Sequence, residues 1–75
     1  MNDPAADTAV LLTAADVAGL LAITVRHVRA LDASGRLPRP IRLGRAVRWR
    51  RDELLRWLDA GAPSRDKWEI LRRER

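Results

Sequence analysis

The chain has no cysteine and no tyrosine, and His27 is its single histidine. Without cysteine there is neither a disulfide framework nor a thiolate metal site, a composition that fits a reducing cytoplasm. A lone histidine with no carboxylate or second histidine beside it does not make a metal site, so no metal and no cofactor are expected. No glycine-rich phosphate loop and no His-based dyad occur, and 75 residues offer little room for a pocket. The expectation is therefore a protein that is not an enzyme. No apolar run approaches the roughly 18 residues needed to span a bilayer. The start, MNDPAADTAV, carries acids where a secretory leader has a basic n-region. A soluble intracellular protein is the expectation, with no membrane and no small-molecule effector.

What is abundant is positive charge. The formal net charge is +5, and fourteen of the fifteen basic residues are arginine. The distribution says more than the total. Residues 1–25 hold three acids and no base, residues 26–51 hold nine arginines against Asp32 alone, and residues 52–75 balance six against six. An excess concentrated in the middle third points to a polyanionic partner.

Local patterning divides the chain into a frayed tail (1–10), a compact domain (11–61) and a C-terminal tail or short helix (62–75). Thr13 and Asp16 have capping-box spacing, and Leu12 with Val17 has that of a hydrophobic staple, so a helix is expected from about Ala14 to Leu21. Thr24 caps a second helix with Ile23 and Val28 at staple spacing, and Gly35 suits the left-handed end of that helix near Ser34. Two helices thus meet at a turn of about three residues, before Pro38 and Pro40 forbid further helix.

Ile41-Arg42-Leu43 and Val47-Arg48-Trp49-Arg50 alternate apolar residues with arginine, the period of strands with one wet face. A three-residue loop, Gly44-Arg45-Ala46, would pair Leu43 with Val47, Ile41 with Trp49 and Arg42 with Arg48. A two-residue loop would mix polar with apolar, so the three-residue loop is the expected register. Asp52 is expected to cap a third helix whose Leu54, Trp57 and Leu58 close over the hairpin before Gly61 and Pro63 end it. Ser64 is a candidate cap for a last short helix carrying Trp68. The fold class expected is mainly α with a small β-hairpin: a winged helix-turn-helix of three helices and a two-stranded wing, with a short C-terminal helix as an option.

On the second helix, Val28 and Leu31 point one way while Arg26, Arg29, Ala30 and Ala33 point the other. Small residues let a helix sit deep in a major groove, and arginine bonds bidentately to guanine. The candidate recognition residues are Thr24, Val25, Arg26, Arg29 and Ala30, with the helix N-terminus favouring a phosphate. Arg42, Arg48 and Arg50 on the wet face of the wing, with Arg45 at its tip, would repel one another unless phosphates neutralise them. His27 and Arg39 are candidate phosphate contacts. Trp49 and Trp57 are expected in the core. For Trp68 two placements stay open: folded back on the third helix, or in contact with a neighbouring protein. A second functional class also stays open, a protein-interaction module whose basic face meets an acidic partner.

Residues 11–61, LLTAADVAGLLAITVRHVRALDASGRLPRPIRLGRAVRWRRDELLRWLDAG, resemble the excisionase and AlpA-type winged-helix family, related in architecture to the MerR-type DNA-binding domain. The resemblance rests on L-T-A-x-x-V-A at residues 12–18, G-R-L-P at 35–38, I-R-L-G-R at 41–45 and R-W-R-R-D-x-L at 48–54. It implies a protein of phages or mobile elements that binds repeated sites in double-stranded DNA, self-associates on adjacent sites and bends the duplex. Arg26 and Arg29 would then read the major groove, and Arg42, Arg45 and Arg48 would approach an adjacent minor groove. The chain departs from its relatives at His27, Arg29 and Asp32, positions that bear on base preference rather than on fold. Two roles are implied: an excisionase, or recombination directionality factor, acting with a site-specific integrase, and a transcriptional regulator. Small size without an effector domain favours the first.

Overall fold

The computed structural model describes residues 9–73. The N-terminal tail expected over residues 1–10 lies, up to residue 8, outside the described residues. Seven elements follow in order: β1 (Leu11–Leu12), α1 (Ala14–Leu21), α2 (Val25–Ala33), β2 (Ile41–Leu43), β3 (Ala46–Arg50), α3 (Arg51–Asp59) and α4 (Arg65–Arg73). Four helices and a small antiparallel sheet make the winged helix-turn-helix expected from the sequence. No helix among the described residues is long and apolar enough to cross a membrane.

The helix starts are set locally. The Thr13 hydroxyl accepts from the Asp16 amide at 3.1 Å, and the Asp16 carboxylate accepts from the Thr13 amide at 3.0 Å, a complete capping box. The Thr24 hydroxyl accepts from the His27 amide at 3.0 Å. Between these helices Ala22 takes the left-handed conformation (φ 58°), which lets the Ile23 amide return to the Ala18 carbonyl at 2.9 Å. At the far end of α2, Gly35 (φ 72°) makes the corresponding left-handed step, and the Arg36 amide closes on the Leu31 carbonyl at 2.8 Å.

The sheet corrects two expectations. It has three strands, in the order β1-β3-β2, because Leu11 and Leu12 pair with Arg50 and Trp49. The hairpin has a two-residue loop: Leu43 pairs with Ala46, Arg42 with Val47 and Ile41 with Arg48. Gly44, at φ 65°, takes the first central position of the turn, where tight hairpins of the II′ kind place glycine. The expected register assumed that Ile41 and Leu43 both needed a dry face. In the structure β2 is an edge strand and Leu43 is 54% exposed, so face-matching exerts little force on it. Turn geometry decides, while Trp49 and its partner Leu12 anchor β3 to the core.

A third correction concerns α3. Its cap position is Arg50, with no side-chain cap bond, and Asp52 lies in the first turn. The Arg51 amide donates to the Val10 carbonyl at 2.9 Å, so β3 runs into α3 while still held by the chain entering β1. Leu54 and Trp57 are buried as expected, whereas Leu58 is 37% exposed and adds little to the closing face.

The core is Leu12, Val17, Ala18, Val28, Leu37, Trp49, Leu54, Trp57 and Trp68. Of the two placements open for Trp68, folding back is the one adopted. The indole is 3% exposed and its N–H donates to the Glu53 carboxylate at 3.0 Å. As a buried side chain it presents no protein-contact surface, and α4 closes the core rather than trailing from it. The other two indoles are likewise satisfied, Trp49 donating to the Pro38 carbonyl (3.1 Å) and Trp57 to that of Pro63 (2.8 Å). Trp49 and Trp57 therefore each fill the core and fasten a connecting segment, while Trp68 fastens α4 to α3.

Candidate nucleic-acid interface

Burial along α2 divides as its periodicity requires: Val28 is inside, Leu31 half-buried, and Arg26, His27, Arg29 and Ala30 exposed. Thr24 is committed to its capping bond, and Val25 is half-buried at the first helical position. The outward face of α2 is thus two arginines with a histidine and an alanine, on a helix whose partial positive end lies at Val25.

Between α2 and the wing lies an open groove of about 620 Å³. Four sequence-predicted arginines line it, Arg29 from α2 and Arg42, Arg45 and Arg48 from the hairpin, and Val25, Val47 and Trp49 supply its apolar part. Arginines up to 19 residues apart in the chain converge here because the turn at Gly35 and the buried Leu37-Pro38 step bring the wing back beside α2. Asp32 is the single acid of the lining, and its carboxylate is held by Arg65 from α4 at 2.7 Å.

The wing arginines do not share one wet face, which is a consequence of the corrected register. Residues opposite each other across a sheet lie on one face, so Arg42 sides with Val47, and Arg48 sides with Ile41. Arg48 lies along the strand, its guanidinium donating to the Val47 carbonyl at 2.9 Å. Arg50, outside the groove, pairs with Asp52 at 3.4 Å. That carboxyl is held below its ordinary value, chiefly because the Glu53 backbone N–H donates to it at 2.7 Å, with help from the positive charges of Arg50 and Arg56. Arg39 also lies apart, 3.6 Å from Glu69. Among the described residues, Arg26, Arg29, Arg42 and Arg45 enter no ion pair.

Two contributors to this site are not among the residues expected from the sequence. Thr13, Ala14 and Ala15, at the start of α1, form one wall of the groove, and small residues after a cap are the signal that points to them. Arg65 carries no such signal, since it lies 33 residues from its partner Asp32.

The arrangement offers an exposed helix face, a positive groove and a wing whose tip residue, Arg45, is exposed at the groove's edge. Such a surface suits a rod of regularly spaced negative charge rather than a compact anion, because its cations are spread along a ridge and a hairpin. A family model described as a helix-turn-helix domain matches residues 11–62. No curated protein and no solved structure matches the chain.

Proposed function

The chain belongs to the helix-turn-helix domain family of AlpA and excisionase type, and from that premise we propose that it is a sequence-specific double-stranded DNA-binding protein that bends attachment-site DNA as an excisionase. A domain of this kind points to DNA binding. On the duplex α2 would enter the major groove, where Arg26 and Arg29 meet base edges and Ala30 permits close approach. Arg42, Arg45 and Arg48 then meet the adjacent minor groove and its phosphates. With extents of 35 × 27 × 23 Å, one copy spans about one turn of B-DNA, ~34 Å, enough for one major groove and its neighbour.

The observation that carries this reading is the convergence of Arg29, Arg42, Arg45 and Arg48 on one groove between the recognition helix and the wing. Neutralising about five phosphates would give a log-log salt slope near −5. A wing that reaches the minor groove can stabilise a bent duplex, and self-association on repeated sites would extend the bend. A bent assembly of that kind is what a site-specific integrase would need from its excision partner.

The test is selection of bound sequences from a random duplex pool, with recovered sites retested across a salt series and in a bending assay. A repeated motif, a steep salt slope and a bend support the excisionase reading. A motif without bending shifts the role to a transcriptional regulator. No motif, with binding lost at physiological salt, sinks the DNA reading and leaves a basic module for an acidic protein partner.

A further inference from the structure

Asp32 is badly placed for a helix that handles polyanions. It lies in the last turn of α2, where the partial negative charge of the helix end disfavours an acid. It also stands three residues after Arg29, a spacing that makes the two side chains neighbours on a helix surface. Both line the same groove. Left to itself, the carboxylate would draw the Arg29 guanidinium along the helix and cancel its charge. The structure shows a different pairing. Arg65, the first residue of α4, reaches Asp32 Oδ1 at 2.7 Å and the Asp32 carbonyl at 3.2 Å, while its Nε donates to the Leu37 carbonyl at 2.9 Å. The Arg65 amide meets the Gly35 carbonyl at 2.9 Å, so the guanidinium is fixed from both ends. Its side chain is 18% exposed, that of Asp32 is 29%, and Arg29 enters no ion pair among the described residues.

We propose that Arg65 is a positioning residue for DNA binding: by holding the Asp32 carboxylate, it keeps Arg29 uncommitted and free for the duplex. Arg65 need not touch DNA. It acts through Asp32, and it ties α4 to the charge state of the recognition helix. The proposal rests on the reading of Arg29 as a DNA contact, so Arg29→Ala is measured alongside.

The experiment uses the full chain and two probes, a duplex carrying the motif recovered by the random-pool selection and a scrambled duplex of equal length. Arg65→Gln keeps an N–H donor for the Leu37 carbonyl and removes the charge. With Arg29 captured by Asp32, affinity for the motif should fall roughly fivefold or more and the salt slope should shrink by about one, matching Arg29→Ala. Adding Asp32→Asn to Arg65→Gln removes the competing acid. Affinity and slope should then return to within about threefold and about half a unit of wild type, while the lowered melting temperature stays low. A purely structural role predicts the reverse, a melting temperature and an affinity that move together and no rescue. If Arg29→Ala weakens binding but Arg65→Gln does not, or if Asp32→Asn fails to rescue, the positioning role is overturned. If Arg29→Ala leaves binding unchanged, the role falls together with the assignment of Arg29. Should Arg65→Gln fail to fold, Arg65→Lys supplies the comparison: the charge is kept without the forked geometry, so affinity should hold more nearly than stability, and loss of both in step overturns the proposal.

Discussion

The carboxylate of Glu53 accepts from the indole N–H of Trp68 at 3.0 Å and pairs with Arg72 at 2.8 Å, so the buried acid of α3 is satisfied entirely by α4. Glu53 is only 6% exposed. Losing it would leave a buried indole N–H without a partner. Glu53→Ala is therefore expected to destabilise the fold by about 2–3 kcal/mol, with most of the cost in the orphaned donor rather than in the half-exposed Arg72 pair. Glu53→Gln keeps an acceptor and should cost about half as much. Thermal and urea unfolding of the two variants check both values, and equal losses would contradict this division.

Ala22 is a non-glycine residue at φ 58° in the turn between α1 and α2. A side chain in that conformation costs about 1 kcal/mol, part of which returns as lower entropy of the unfolded chain. Ala22→Gly should raise stability by about 0.5 kcal/mol, read as a rise of a few degrees in melting temperature, with DNA affinity unchanged.

The corrected hairpin register makes a prediction of its own. Leu43 is exposed, on the face opposite Val47, so Leu43→Ser should alter stability by less than about 0.5 kcal/mol. Val47, which packs against the core, should be more costly to truncate. A loss at Leu43 of the size usual for a core leucine, about 2 kcal/mol or more, would favour the three-residue loop instead.

For DNA, Arg45 at the wing tip and Arg26 on the outer face of α2 should behave differently. Arg45→Ala is expected to weaken cognate and random duplexes alike and to shrink the salt slope by about one, whereas Arg26→Ala should cost about 1–3 kcal/mol on the cognate site and relax its sequence preference. Binding to both duplexes over a salt series separates the two. Equal effects of Arg26→Ala on both would remove it from base reading.

Asp52 gives the fold an acid-side dependence. Its carboxyl lies below the ordinary 3.8 in the folded chain. The stabilisation it contributes is thus fully present above that ordinary value and is lost as pH falls through the lower, folded value. Asp52 is exposed, so the contribution is small. The melting temperature of Asp52→Asn should accordingly depend less on pH in the acid limb than that of the wild type, and the two curves should converge at the lowest pH.

Much of this was legible in the sequence because it is local. Thr13 with Asp16, Thr24, and Gly35 act within four or five residues of themselves, so spacing alone predicts their bonds. The faces of α2 follow from helical period in the same way. What spacing does not carry is competition between distant partners. Leu11 and Leu12 are a strand only because β3 offers an edge. The hairpin register depends on how little burial β2 receives, and Asp52 yields the cap position because Arg51 is already bonded to Val10. Arg29, Arg42, Arg45 and Arg48 could be named from the sequence. That they line one groove, and that Arg65 holds its single acid, depends on how α4 and the wing pack.

Since the chain lacks tyrosine, its ultraviolet emission comes wholly from Trp49, Trp57 and Trp68. Trp49 lines the groove between α2 and the wing, and neither of the other two does. The molecule thus contains its own optical label: an occupant of the groove alters the surroundings of one fluorophore in three, while unfolding exposes all of them. Partial and full changes in emission therefore distinguish a filled groove from a lost fold in an unmodified sample.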